Sequence, residues 1–137
     1  ADDDWVLVHD VARPCVRTDD IELLIRKVKQ NGDGGVLGYS VRDTMKRTDS
    51  HGCIIKTVER NHLWHALTPQ MFRLRPLLSA IQASLKDGVL VTDESAAMER
   101  AGVFPIMVEG APDNIKITRP EDLTLAGLFL RNQRDHD

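Results

Sequence analysis

At 137 residues the chain is long enough for one domain with a real core and too short for two comfortable ones. Apolar residues make up 42% and charged ones 28%, and the net charge of −3 gives no electrostatic case for nucleic acid or an anionic membrane surface. No apolar run approaches the roughly 20 residues of a membrane span, and the acidic opening "ADDDW" does not read as a signal peptide.

The first apolar run, "WVLV" from Trp5 to Val8, reads as a strand buried on both faces of a parallel sheet. It delivers His9, Asp10 and Arg13 to its end and stops at Pro14. In open α/β sheets ligands bind in the crevice outside the carboxyl ends of the strands. The plainer alternative is an Asp10–Arg13 ion pair confined to the loop. A strand this apolar suits the interior of a sheet rather than its edge, so the chain is expected to begin within a domain.

"RTDDIELLIRKVKQNG" has the punctuation of a helix. Asp19 with Glu22 has the spacing of a capping box, Ile21, Leu24, Ile25 and Val28 form the apolar stripe, and Gly32 closes it. "GGVLGYSV" is the next strand, which completes a βαβ unit. From Val41 to Arg60 two polar extended runs flank "TDSHG", a long hairpin that must lie on something because a lone hairpin is marginal in water.

"LWHALTPQMF" is a short apolar segment broken by Thr68 and Pro69, and Pro76 opens a helix that Gly88 closes. "VLVTDESAAMERAG" offers a strand tip, a Thr92 cap and a short helix to Gly102. "VFPIMVEG" is a strand placed near an edge by Pro105, and "DNIKIT" is a further short strand. The closing "TRPEDLTLAGLFLRNQ" pairs Thr118 with Glu121 in a capping box and aligns Leu123, Ala126 and Leu130 on one face. Strands alternate with helices, so the class is α/β with the hairpin as an insertion. Cys15 and Cys53 have no metal-ligand spacing and are expected to be reduced, in a cytoplasmic setting.

Several polar residues fall just past these strands: Asp10, Arg13, Thr44, Thr68, Thr92 and Lys116, with Arg60 at the end of the hairpin. Cations with hydroxyls are the set expected around a sugar phosphate. Arginine holds phosphate oxygens bidentately, and lysine neutralises charge developing in phosphoryl transfer. Asp10 can grip hydroxyls or help hold a divalent cation. Against this stand plain structural roles: Thr92 and Thr118 as helix caps, His9, His62 and His65 as packing or loop residues, and Lys46 and Arg47 as a solvated face.

The segments "VHDVARP", "VRDTMKR", "VERNHLWHALTPQMF", "VTDESAAMERAG" and "DNIKITRPEDL" occur in the same order as in the 2-C-methyl-D-erythritol 4-phosphate cytidylyltransferases, which the chain resembles from Trp5 to Phe129. The resemblance implies a Rossmann-like nucleotidyltransferase sheet with a projecting β-arm at about 41–60. It also implies transfer of CMP from CTP to methylerythritol phosphate with release of pyrophosphate, in non-mevalonate isoprenoid synthesis. A homodimer through the arm and Mg²⁺ bound mainly through the CTP phosphates follow from the same resemblance.

Carried over by motif, Asp10 and Arg13 would hold the polyol phosphate, Thr68 and Thr92 would line the pocket, and Lys116 would face the reacting phosphate. Thr44 and Arg60 would reach the substrate of the other subunit. Two departures stand out: Val11 replaces a small residue of "HDAARP", and nothing matches the family's Gly-rich, basic CTP loop. Residues 1–137 therefore read as the C-terminal part of one cytidylyltransferase domain, inactive alone. A ribitol 5-phosphate cytidylyltransferase and a non-catalytic dimerisation module are the rival readings.

Overall fold

The computed structural model describes residues 4–135. A four-stranded sheet has the order β1 (Trp5–Val8), β5 (Trp64–Arg73), β2 (Gly35–Ser40), β6 (Ile106–Glu109). Strands β1 and β2 both pair antiparallel with β5, and β2 pairs parallel with β6. The carboxyl ends of β1, β2 and β6 therefore emerge on one rim, and β5 enters the sheet from it. The class is α/β, as the alternation of elements predicts.

Side-chain alternation along the strands builds two cores, one on each face. Leu37, Leu67, Met71 and Val108 meet Leu24 and Val28 of α1 (Thr18–Asn31). On the other face Val36 and Phe72 meet Leu77 and Ala80 of α2 (Leu74–Lys86), with Ala97 and Met98 of α3 (Glu94–Arg100). Phe72 and Leu24 are fully buried, and each such side chain contributes about 1.5–3 kcal/mol. Helix α1 lies close because Gly35 has no Cβ, which would fall 2.6 Å from a Val28 methyl. Gly32 ends that helix in the left-handed region (φ 91°), its N–H on the Val28 carbonyl.

Several expectations need correction. Within the described residues β1 pairs with β5 alone, and antiparallel rather than parallel, with Leu7 exposed. The segment around Thr68 and Pro69 is not broken. It runs through β5, and the missing proline N–H is accommodated by a bulge in which the β2 pairs at Val36 and Gly38 match Gln70 and Ala66.

Residues 89–91 are no strand, since the Val89 N–H closes the end of α2 on the Ser84 carbonyl. "DNIKIT" is a loop: the N–H groups of Asn114 and Ile115 close turns, and that of Ile117 donates to the Ala12 carbonyl. Asp19 lies inside the first turn of α1 rather than at its cap, which is the extended Arg17. In α4 (Pro120–Arg134) the free N–H groups of Thr118 and Arg119 go to Asp122, not to Glu121. Ala126 is buried, but Leu123 points outward.

Strands β3 (Met45–Thr48) and β4 (Ile54–Val58) form a separate two-stranded arm. Its turn is fixed by Asp49, whose carboxylate accepts from the N–H groups of His51 and Cys53. Met45, Ile54 and Ile55 are exposed on this arm. Cys15 is buried and Cys53 exposed, and both are free.

Candidate active site

At the rim, β5 runs on past the end of β1, whose last residue Val8 is opposite Gln70. The loop after β1 therefore turns across the β5 backbone. The Asp10 N–H donates to Thr68 Oγ1 (3.0 Å) and the Arg13 N–H closes a turn on the Asp10 carbonyl. The loop before α4 joins them: Arg13 Nη1 donates to the Asn114 carbonyl (2.8 Å), and Asn114 Nδ2 donates to the Thr68 carbonyl (2.8 Å). Lys116 is thereby brought to Asp10, with Nζ 3.0 Å from Oδ2 and Arg13 Nε 3.4 Å from the same oxygen.

Asp10, Arg13, Thr68, Thr92 and Lys116 all line one cleft of about 260 Å³, together with Gln70, Asp93 and Glu94. Asp10 and Arg13 thus converge with Lys116, more than a hundred residues further along the chain, and with the hydroxyls of Thr68 and Thr92. The hydrogen bond from Lys116, then the charges of Lys116 and Arg13, hold the Asp10 carboxyl below the usual carboxylate range, against the opposing effect of burial. Both cations sit on Oδ2; a carboxylate has about four acceptor positions, so capacity remains for ligand hydroxyls.

Thr92 faces the cleft but caps nothing. Asp93 caps α3 by accepting from the Ala96 N–H (2.9 Å), and Gln70 Nε2 donates to the other Asp93 oxygen (2.9 Å). Thr44 and Arg60 come together as expected, but on a separate concavity of about 350 Å³ at the base of the arm, which holds none of the cleft residues. There Arg60 donates to the Arg42 carbonyl.

No group of three His, Cys, Asp or Glu side chains gathers at metal-binding distance among the described residues, so a Mg²⁺ ion at this cleft would need substrate phosphates beside one or two carboxylates. Among the described residues no helix is long and apolar enough to cross a membrane.

Residues beyond the expected set also shape the site. His9, expected only to pack, bridges Thr68 Oγ1 (2.8 Å from Nδ1) and the Arg13 carbonyl (3.0 Å from Nε2). Gln70 and Asn114 are fully buried polar side chains, which sequence flags only as polar residues inside apolar context. Asp113 anchors the Lys116 loop: Arg17 donates to both its oxygens (3.3 and 2.5 Å), and Gln133 adds a third bond (3.2 Å). Cys15 lies in the same region, its thiol pushed up by burial and then by the Asp113 carboxylate, so it is protonated and inert.

A family model described as 2-C-methyl-D-erythritol 4-phosphate cytidylyltransferase matches residues 1–132. Curated relatives with that same name include a Tolumonas auensis protein, 55% identical over 95% of this chain and 57% of its own length. One from Aeromonas hydrophila is 58% identical over 95% of this chain and 53% of its own length. The chain thus spans little more than half the length of the curated relatives it matches. Among solved structures, the Francisella tularensis 2-C-methyl-D-erythritol 4-phosphate cytidylyltransferase superposes with a TM-score of 0.86 at 39% identity, over 94% of this chain and 60% of that one. The Thermus thermophilus enzyme of the same name gives 0.81 at 30% identity, over 93% and 62%.

Proposed function

Because the chain belongs to the 2-C-methyl-D-erythritol 4-phosphate cytidylyltransferase family, we propose that the protein carrying it transfers CMP from CTP to 2-C-methyl-D-erythritol 4-phosphate. A phosphate oxygen of the polyol attacks the α-phosphorus of CTP, a new P–O bond forms, and pyrophosphate leaves with the electron pair of the broken one.

The observation that carries this reading is the convergence of Asp10, Arg13 and Lys116 with Thr68 and Thr92 on one cleft. Asp10 accepts hydroxyls of the polyol, and Arg13 holds its phosphate. Lys116, kept at the rim by Asp10, neutralises charge that grows on the transferring phosphate. Magnesium enters as part of the substrate, carried on the CTP phosphates, and no residue described here is assigned to it. The arm would act in trans. Exposed Met45, Ile54 and Ile55 favour burial against a second copy, and Thr44 with Arg60 would then reach the neighbouring cleft. Two free cysteines suit a reducing, cytoplasmic setting.

The test is pyrophosphate release from CTP by the protein containing this chain, with methylerythritol phosphate and ribitol 5-phosphate offered separately. Turnover with the first and little with the second is expected. Preference for ribitol 5-phosphate, or no turnover with either, would overturn the reading.

A further inference from the structure

His9 makes two contacts whose chemistry fixes where its proton lies. Its Nε2 is 3.0 Å from the Arg13 carbonyl oxygen, and a carbonyl only accepts, so Nε2 carries a hydrogen. In the neutral ring Nδ1 is then bare and can only accept. Its partner 2.8 Å away is Thr68 Oγ1, so the threonine hydroxyl must donate its single proton to His9. The same oxygen accepts from the Asp10 N–H at 3.0 Å. One proton and one lone pair are now committed, and what remains on Thr68, which lines the cleft, is one lone pair.

We infer that His9 is a positioning residue that orders the Thr68 hydroxyl as an acceptor, so that Thr68 reads a hydroxyl of the substrate and not an oxygen of its phosphate. A phosphate oxygen brought to Thr68 would meet lone pair against lone pair. The phosphate is left to the cations Arg13 and Lys116, and a polyol end is sorted from a phosphate end without any group moving. His9 touches no substrate itself. Its carbonyl contact also ties the ring to the backbone of Arg13, so the residue that holds the phosphate and the residue that reads the hydroxyl share one anchor. The identity of the ligand hydroxyl rests on the function proposed above; the proton order does not.

The experiment has two arms, both on the protein that contains this chain. Ring nitrogen NMR of His9 at about pH 8, above the ordinary imidazole range, should show Nε2 protonated and Nδ1 bare; a protonated Nδ1 would overturn the inference. In kinetics, His9→Gln removes the Nδ1 acceptor and lets the Thr68 proton turn into the cleft. It should raise the KM for methylerythritol phosphate roughly tenfold, with kcat and the KM for CTP unchanged. His9→Asn carries a side-chain oxygen close to the Nδ1 position and should restore the low KM.

Equal KM increases in both variants, or a parallel rise in the KM for CTP, would reduce His9 to a general structural role and refute the proposal. The ring signature needs no turnover. A wild-type protein with the expected tautomer that ignores methylerythritol phosphate would therefore overturn the transferase reading and the ligand assigned to Thr68, and leave the proton order of His9 standing.

Discussion

Asp10→Asn separates folding from function because the two effects differ in size. The Asp10 carboxylate faces Lys116 Nζ at 3.0 Å and Arg13 Nε at 3.4 Å, but its side chain is 36% exposed and that of Lys116 49%. The pair with Lys116, this open to water, contributes about 0.2–1 kcal/mol, and Arg13, 12% exposed, keeps its bond to the Asn114 carbonyl, so the substitution should lower the melting temperature by only a few degrees. Binding is another matter. A hydrogen bond from a substrate hydroxyl to a carboxylate is worth about 1.5–3 kcal/mol, which at about 1.4 kcal/mol per decade is roughly 10- to 150-fold in affinity. Asparagine keeps the shape and one acceptor oxygen but loses the charge. The assay is steady-state pyrophosphate release with methylerythritol phosphate varied at saturating CTP, beside a thermal melt. A KM raised within that range on a protein that melts almost normally is expected. An unchanged KM would refute the assignment of Asp10 to the substrate, and a melting temperature lower by tens of degrees would make it a structural ion pair instead.

Lys116→Ala should lower kcat by roughly 10²-fold or more, whereas Arg13→Ala should mainly raise the KM for the polyol phosphate, both read in the same assay. If Thr44 and Arg60 act in trans, Arg60→Ala and Lys116→Ala homodimers should each be nearly inactive. Mixing them should then recover about half of a wild-type dimer's activity per mixed dimer, and no recovery would confine Arg60 to its own subunit. The Asp122 carboxyl is held below its usual range by the N–H groups of Thr118 and Arg119. A carboxylate with a lowered folded-state pKa stabilises above its ordinary value and loses that contribution as pH falls through the lowered one. Asp122→Ala should therefore melt earlier than wild type at neutral pH, with the gap closing below about pH 4.

The α/β class and the cleft residues were legible because they rest on local signals. Apolar runs, Gly32 and the hairpin turn mark the elements, and charged residues just past strands mark the rim. Sheet order was not legible, because strand pairing is non-local. "WVLV" reads as a strand of a parallel sheet, yet Trp5 to Val8 pair antiparallel with β5, some sixty residues further along the chain. Pro69 reads as a break, but a bulge against β2 lets β5 continue through it. At α3 Asp93 caps in place of Thr92 because a carboxylate accepts more strongly from backbone N–H groups than a hydroxyl does. At α4 the cap is Arg119, one residue beyond Thr118, so the third helical position falls on Asp122 rather than Glu121. In the sequence His9 reads as a packing or loop residue, because its partner Thr68 Oγ1 meets it only once β1 and β5 have paired.

The most direct measurement is a crystal structure of the protein containing this chain with methylerythritol phosphate bound. The account predicts the polyol in the cleft between Asp10 and Lys116, a hydroxyl on Thr68 Oγ1 and the phosphate on Arg13, with Thr44 and Arg60 of a second subunit closing over it. A polyol phosphate bound elsewhere, or one with its phosphate on Thr68, would contradict it.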